Sequence, residues 1–189
     1  MTEVSSLTGR LLVATPALAD PNFDRAVVLL LDHDEKGSLG VVLNRPTPVD
    51  VGDILEGWGE LAGEPGVVFQ GGPVSLDSAL GVAVIPGGAS ASGPLGWRRV
   101  HGAIGLVDLE TPPELLAAAL GSLRIFAGYS GWGPGQLQNE LSEGAWYVVE
   151  SEPGDVSATR PEGLWRAVLR RQRSELAMVA TYPDDPSLN

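Results

Sequence analysis

The sequence predicts an α+β domain built on a curved, mixed sheet. Three observations point there. Apolar runs of strand length mix with a few helix-length amphipathic segments, without the regular βαβ rhythm of a doubly wound sheet. Several runs are only four or five residues long. The 25 glycines and 15 prolines are spread among those runs rather than pooled, which reads as many turns between short elements.

The 189 residues suit a single domain, 1–189, because domains run to roughly 100–200 residues. With 43% hydrophobic residues the chain can fill a core without a metal or disulfide staple. The net charge of −12 repels nucleic-acid phosphates at long range, so a nucleic-acid partner is disfavoured unless a local basic patch exists. The absence of cysteine excludes thiol nucleophiles, disulfides and thiolate metal sites. The first ten residues lack the layout of a secretory signal. The longest apolar run, residues 26–31, is far short of the ~20 residues that span a bilayer. The expected compartment is the cytoplasm, with no membrane partner.

Residues 11–14 form a short apolar strand closed by Pro16. Asp20-Pro21-Asn22-Phe23 reads as a turn, since Asp and Asn bond to nearby backbone and Pro presets φ. Residues 26–31 and 39–43 are strands, continuous in apolar character and so covered on both faces. The polar stretch 32–37 between them is expected to be a loop, and Asn44-Arg45-Pro46 ends the second strand. Residues 51–61 read as a helix capped by Asp50, weakened by Gly52, Gly57 and Gly59.

Residues 67–69 form a short strand running into Gln70-Gly71-Gly72-Pro73. Residues 80–85 are a strand, 86–96 a loop, and 97–100 with 104–107 a pair of short strands. Thr111-Pro112-Pro113-Glu114 starts a helix with proline in its first turn. Residues 124–127 are a strand, 128–135 a glycine turn, 136–142 a helix and 146–149 a strand. Residues 161–173 form the last clear helix, with 175–181 extending it or starting another.

The most suggestive stretch has four glycines among the eight residues from Gly128 to Gly135. Glycines permit close backbone approach, Pro134 suits the first turn of a helix, and a helix start offers free N–H groups to an anion. The simpler reading is a tight connection with Trp132 packed over it. Gly131, Trp132, Gly133, Gly135 and Gln136, with Gly71 and Gly72, are therefore the candidate ligand-binding residues.

No catalytic set emerges. Ser130 fails the nucleophile-elbow pattern, because Trp132 stands where glycine is required. Gln70-Gly71-Gly72-Pro73 lacks the lysine of a phosphate loop. Asp32, His33, Asp34 and Glu35 are adjacent in sequence and cannot all converge on one ion, so no metal is expected. His101 has no partner by spacing. Arg166, Arg170, Arg171 and Arg173 lie toward a helix C-terminus, where the dipole favours cations; a nucleic-acid patch is the alternative use. No cofactor is implied.

Several segments, in order, resemble the YqgE/AlgH family of bacterial proteins. They are the opening Gly9-Arg10-Leu11-Leu12-Val13-Ala14-Thr15-Pro16, then Asp20-Pro21-Asn22-Phe23 with Arg25 and Val27, then His33, Gly37, Gly40 and Asn44-Arg45-Pro46. Gly71-Gly72-Pro73-Val74 follows, and then Gly128 to Leu137 with Glu140, Leu141 and Trp146. The resemblance covers nearly the whole chain. It implies a mixed sheet curled into a partly closed barrel with helices packed outside. It brings no catalytic set. Some relatives carry a transcriptional-regulator label, yet no helix-turn-helix is recognisable here. Ser130 departs from the alanine of many relatives. The expected function is a non-enzymatic binding or regulatory domain acting through protein or small-ligand contacts. The alternatives are an enzyme or binding protein for an anionic small molecule at the turn from Gly128 to Gln136, and a nucleic-acid-associated regulator using the helix from Arg166 to Arg173.

Overall fold

The computed structural model describes residues 7–18, 20–86, 94–173 and 175–182. Ten strands form one mixed sheet: β1 (Leu11–Ala14), β2 (Val27–Asp34), β3 (Gly37–Val42), β4 (Pro46–Asp50), β5 (Val67–Gln70), β6 (Val74–Val84), β7 (Trp97–His101), β8 (Ile104–Val107), β9 (Ser122–Trp132) and β10 (Trp146–Val149). The helices are short: α1 (Val51–Ile54), α2 (Pro113–Leu116), α3 (Gln136–Ser142), α4 (Pro153–Val156), α5 (Leu164–Arg170) and α6 (Leu176–Val179). A 3₁₀ turn at Pro161–Gly163 leads into α5.

The main path of the sheet is β10-β1-β2-β3-β9-β6-β8-β7, with β4 and β5 attached at β9. Its pairings are antiparallel except β5 with β9, which is parallel. Strand β9 joins the two halves. Its C-terminal end pairs β3 through Gly131 and Trp132, while its N-terminal end pairs β5 and β6.

The sheet curls strongly, and its two faces sort the continuous apolar runs by parity. In β1 and β2, Leu11, Val13, Val27, Leu29 and Leu31 enter the large inner core. Leu12, Ala14, Val28 and Leu30 enter a second core on the other face. A run with no polar alternation is thus what two covered faces require. Helix α5 fills the inner side with Leu164, Trp165, Val168 and Leu169, and the Trp165 indole donates to the Ala14 carbonyl at 2.8 Å. Helix α3 covers the second face with Leu137. Helices α1 and α2, with Trp58 and Trp97, cover a third cluster over β6, β8 and β9. The curl brings the start of β1 against the end of β7, where a Cβ on Gly9 would lie 2.3 Å from the His101 Cβ.

The local elements differ from expectation in several places. The stretch 32–37 is mostly strand, because Asp32, His33 and Asp34 alternate exposed, buried, exposed, leaving only Glu35 and Lys36 as the turn. Residues 128–132 are the end of β9 rather than a turn. The helices expected over 51–61 and after Thr111 are single turns, consistent with their glycines and prolines. Strand β4 was hidden by Pro46 and Pro48, which sit on an edge strand as proline must. Within the expected loop 86–96, residues 87–93 lie outside the described residues.

Candidate functional site

The two glycine segments meet across β9. A Cβ on Gly71 would sit 2.5 Å from the Gly128 carbonyl oxygen, and one on Gly72 would sit 2.2 Å from that of Tyr129. The Gly71 N–H donates to Ala127 at 2.9 Å, and the Gly71 carbonyl accepts from Val42 N–H at 2.9 Å and from Ser130 Oγ at 3.1 Å. Ser130 is fully buried and spends its hydroxyl on that bond. It ties the backbone of β9 to the Gly71 turn.

Beyond Ser130 the segment is exposed except at the buried Trp132, and its side chains interlock around Glu140. The indole N–H groups of Trp132 and Trp146 both donate to Glu140 Oε1, at 3.0 and 2.9 Å. The Gln136 amide donates to Glu140 Oε2 at 3.0 Å, and its carbonyl oxygen accepts from Gly133 N–H at 3.0 Å. Trp132 stacks on Phe23 with centroids 6.3 Å apart, and Trp146 meets Phe23 edge-on at 5.5 Å. The candidate residues 131–136 thus stand beside a carboxylate that already has three donors.

Phe23 ends the turn that carries Asn22. Asp20 Oδ1 accepts from Asn22 N–H at 2.8 Å, so the aspartate shapes the turn from within. Asn44 holds the other end: its Oδ1 accepts from Val27 N–H at 3.0 Å and its amide donates to the Arg25 carbonyl at 2.9 Å. That grip matches the left-handed backbone of Arg25, at φ 54°. Arg45 donates to the Asp24 carbonyl, and its own carbonyl accepts from Gln70 N–H at 2.8 Å.

Three separate segments thereby converge. Pro21 and Asn22, Arg45, and Gln70, Gly72 and Pro73 line one cleft of about 210 Å³, with Val42 as the remaining lining residue. Among the described residues, the side-chain amides of Asn22 and Gln70 make no hydrogen bond, and Arg45 forms no ion pair. Burial pushes the Arg45 guanidinium below its ordinary value, and Asp24 pulls it part of the way back. The group keeps its charge at neutral pH. Of the residues the sequence suggests as ligand-binding, Gly72 lines this cleft; Asn22, Arg45 and Gln70 are not among them. Asn22 and Arg45 each flank a proline and Gln70 precedes the double glycine, but only the fold brings these segments together.

The histidines lie elsewhere. His33 is buried in the β2–β3 hairpin, with Nδ1 2.6 Å from Ser38 Oγ, and His101 sits at the seam against Gly9. Among the described residues, no three His, Asp or Glu side chains gather as a metal site. Of the last-helix arginines, Arg171 is bidentate to Asp155 at 2.6 and 2.8 Å and reaches Glu152 at 3.1 Å, while Arg166 donates to the Ala180 carbonyl. No helix among the described residues is long and apolar enough to cross a membrane.

Fold and cleft together define a class: a one-sheet α+β half-barrel with a small polar cleft where its inter-strand turns meet. The chain belongs to the AlgH-like family (DUF179), which matches residues 11–177. It is 90% identical over 190 residues to a UPF0301 protein of Streptomyces avermitilis, covering 100% of this chain and 98% of that one. A crystal structure of a Corynebacterium diphtheriae protein superposes with a TM-score of 0.89 at 31% identity, covering 96% of this chain and 95% of the other. The solution structure of AlgH from Pseudomonas aeruginosa gives 0.68 at 28% identity, covering 97% of each chain. The family is one of uncharacterised function.

Proposed function

We propose that this protein is a non-enzymatic cytoplasmic binding domain that holds a small molecule in the cleft between Asn22, Arg45, Gln70 and Gly72. The observation that carries the reading is the convergence of three distant segments on one cleft, where the exposed amides of Asn22 and Gln70 have no side-chain hydrogen bond among the described residues and Arg45 has a single carbonyl partner. Binding sites pair concave, partly apolar walls with a few convergent polar groups. At about 210 Å³ the cleft is below the usual range for drug-sized ligands, which points to a small metabolite.

A binder is favoured over an enzyme because, among the described residues, no nucleophile or general base lines this cleft. A nucleic-acid role through the last helix is disfavoured by the internal use of Arg166 and Arg171. The test is a thermal-shift screen of small metabolites against the protein and against Asn22→Trp, which fills the mouth of the cleft. Compounds that stabilise the native protein and lose their effect in the variant are expected. A screen in which every stabilising compound works equally on Asn22→Trp would place binding elsewhere.

A further inference from the structure

We propose that the ligand of this cleft is a small monocarboxylate bearing hydroxyl or carbonyl groups, with its carboxylate on Arg45 and its polar remainder on the Asn22 and Gln70 amides. This rests on the cleft being the binding site.

Arg45 sets the charge. Its guanidinium uses one donor on the Asp24 carbonyl and forms no ion pair among the described residues. An arginine has five N–H donors in a planar fork that matches a carboxylate edge-on. The Asp24 bond and the Gln70–Arg45 backbone bond hold the residue in place, so less side-chain entropy is lost when a ligand arrives. Partial burial strengthens the attraction to an anion relative to open water.

The number of charges separates a carboxylate from a phosphate. Among the described residues, Arg45 is the only cationic side chain lining the cleft, and Asp24 lies close enough to act on it electrostatically. A phosphate monoester carries about −1.5 to −2 at neutral pH. One guanidinium would leave much of that charge uncompensated in a chain of net charge −12. A carboxylate brings a single charge to the same guanidinium and leaves less to be compensated. The remaining polar groups, two side-chain amides, both donate and accept, which suits hydroxyl or carbonyl substituents. Pro21, Val42 and Pro73 supply apolar wall for a short carbon skeleton.

The experiment titrates the full chain with lactate, glycerate, lactamide and inorganic phosphate. Nitrogen-15 NMR reads the Asn22 and Gln70 side-chain amides and the Arg45 Nε. Lactate and glycerate are expected to shift all three groups, with affinity at least tenfold above lactamide. Arg45→Gln is expected to erase that preference, while Arg45→Lys retains part of it; melting curves confirm that both variants fold. Lactamide binding as tightly as lactate, or phosphate binding tighter than every carboxylate, overturns the monocarboxylate. If the carboxylates shift none of the three groups while neutral compounds do so in a manner blocked by Asn22→Trp, the cleft stands and the ligand class falls. If no compound shifts them, both fall.

Discussion

Two glycine-rich segments meet at the C-terminal end of β9, and they leave their polar neighbours in opposite conditions. Around residues 131–136 the polar side chains are committed to one another: Glu140 collects two indoles and an amide, and Gln136 caps Gly133. Around Gly71-Gly72-Pro73 the backbone is locked but the nearby amides of Asn22 and Gln70 are free among the described residues. The closed segment also supports the open one, because Trp132 and Trp146 grip Phe23, next to Asn22. Glycine content alone does not distinguish a brace from a binding surface. The fate of the surrounding donors does.

Substitutions can break that contrast, starting with the most severe. Gly72→Ala would force a Cβ to 2.2 Å from the Tyr129 carbonyl oxygen, a clash with backbone that cannot swing away. A loss of about 3 kcal/mol or more is expected in urea unfolding. Glu140→Leu leaves the two largely buried indole N–H groups without an acceptor and should cost about 2 kcal/mol. If Trp132 does position the Asn22 turn, the same variant should also weaken ligand binding, which calorimetry would detect. Gly135→Ala sits at φ +75° with open space around the new Cβ, so only backbone strain applies, about 1 kcal/mol. A Gly135→Ala loss as large as that of Gly72→Ala would mean the second segment is packed as tightly as the first. Gln70→Ala should change stability by less than about 0.5 kcal/mol, yet reduce affinity for the cleft ligand.

The architecture was legible where the chemistry is local. Residues 136–142 and 146–149 were bounded correctly because Gly135 and Gly144 punctuate them. The two-faced burial of β2 was readable from its unbroken apolar run. Residues 74–79 of β6 were not legible as strand, because they are exposed and lie across a register shift against β9. The cleft was legible only in part. Gly72 attracted attention through its turn, but Asn22 and Arg45 owe their meeting to pairings between residues far apart in sequence, such as Gln70 with Arg45. Arg124 is the sharpest case of what a sequence conceals. It is a buried cation with Nε and Nη1 unpaired, resting on the Phe69 ring at 4.2 Å, and burial pushes it down to about 10.

Strand β9 also governs when the chain can become a sheet at all. On a ribosome, β1 to β3 emerge first and β4 to β8 follow, and β9 is the strand that hydrogen-bonds both sets. Until residue 132 has cleared the exit tunnel, the β3 edge and the β6 edge both lack their shared neighbour, and each is an open template for another chain. The nascent chain therefore lacks its main joint until β9 is clear of the tunnel. That interval is when a holdase chaperone would have most to protect.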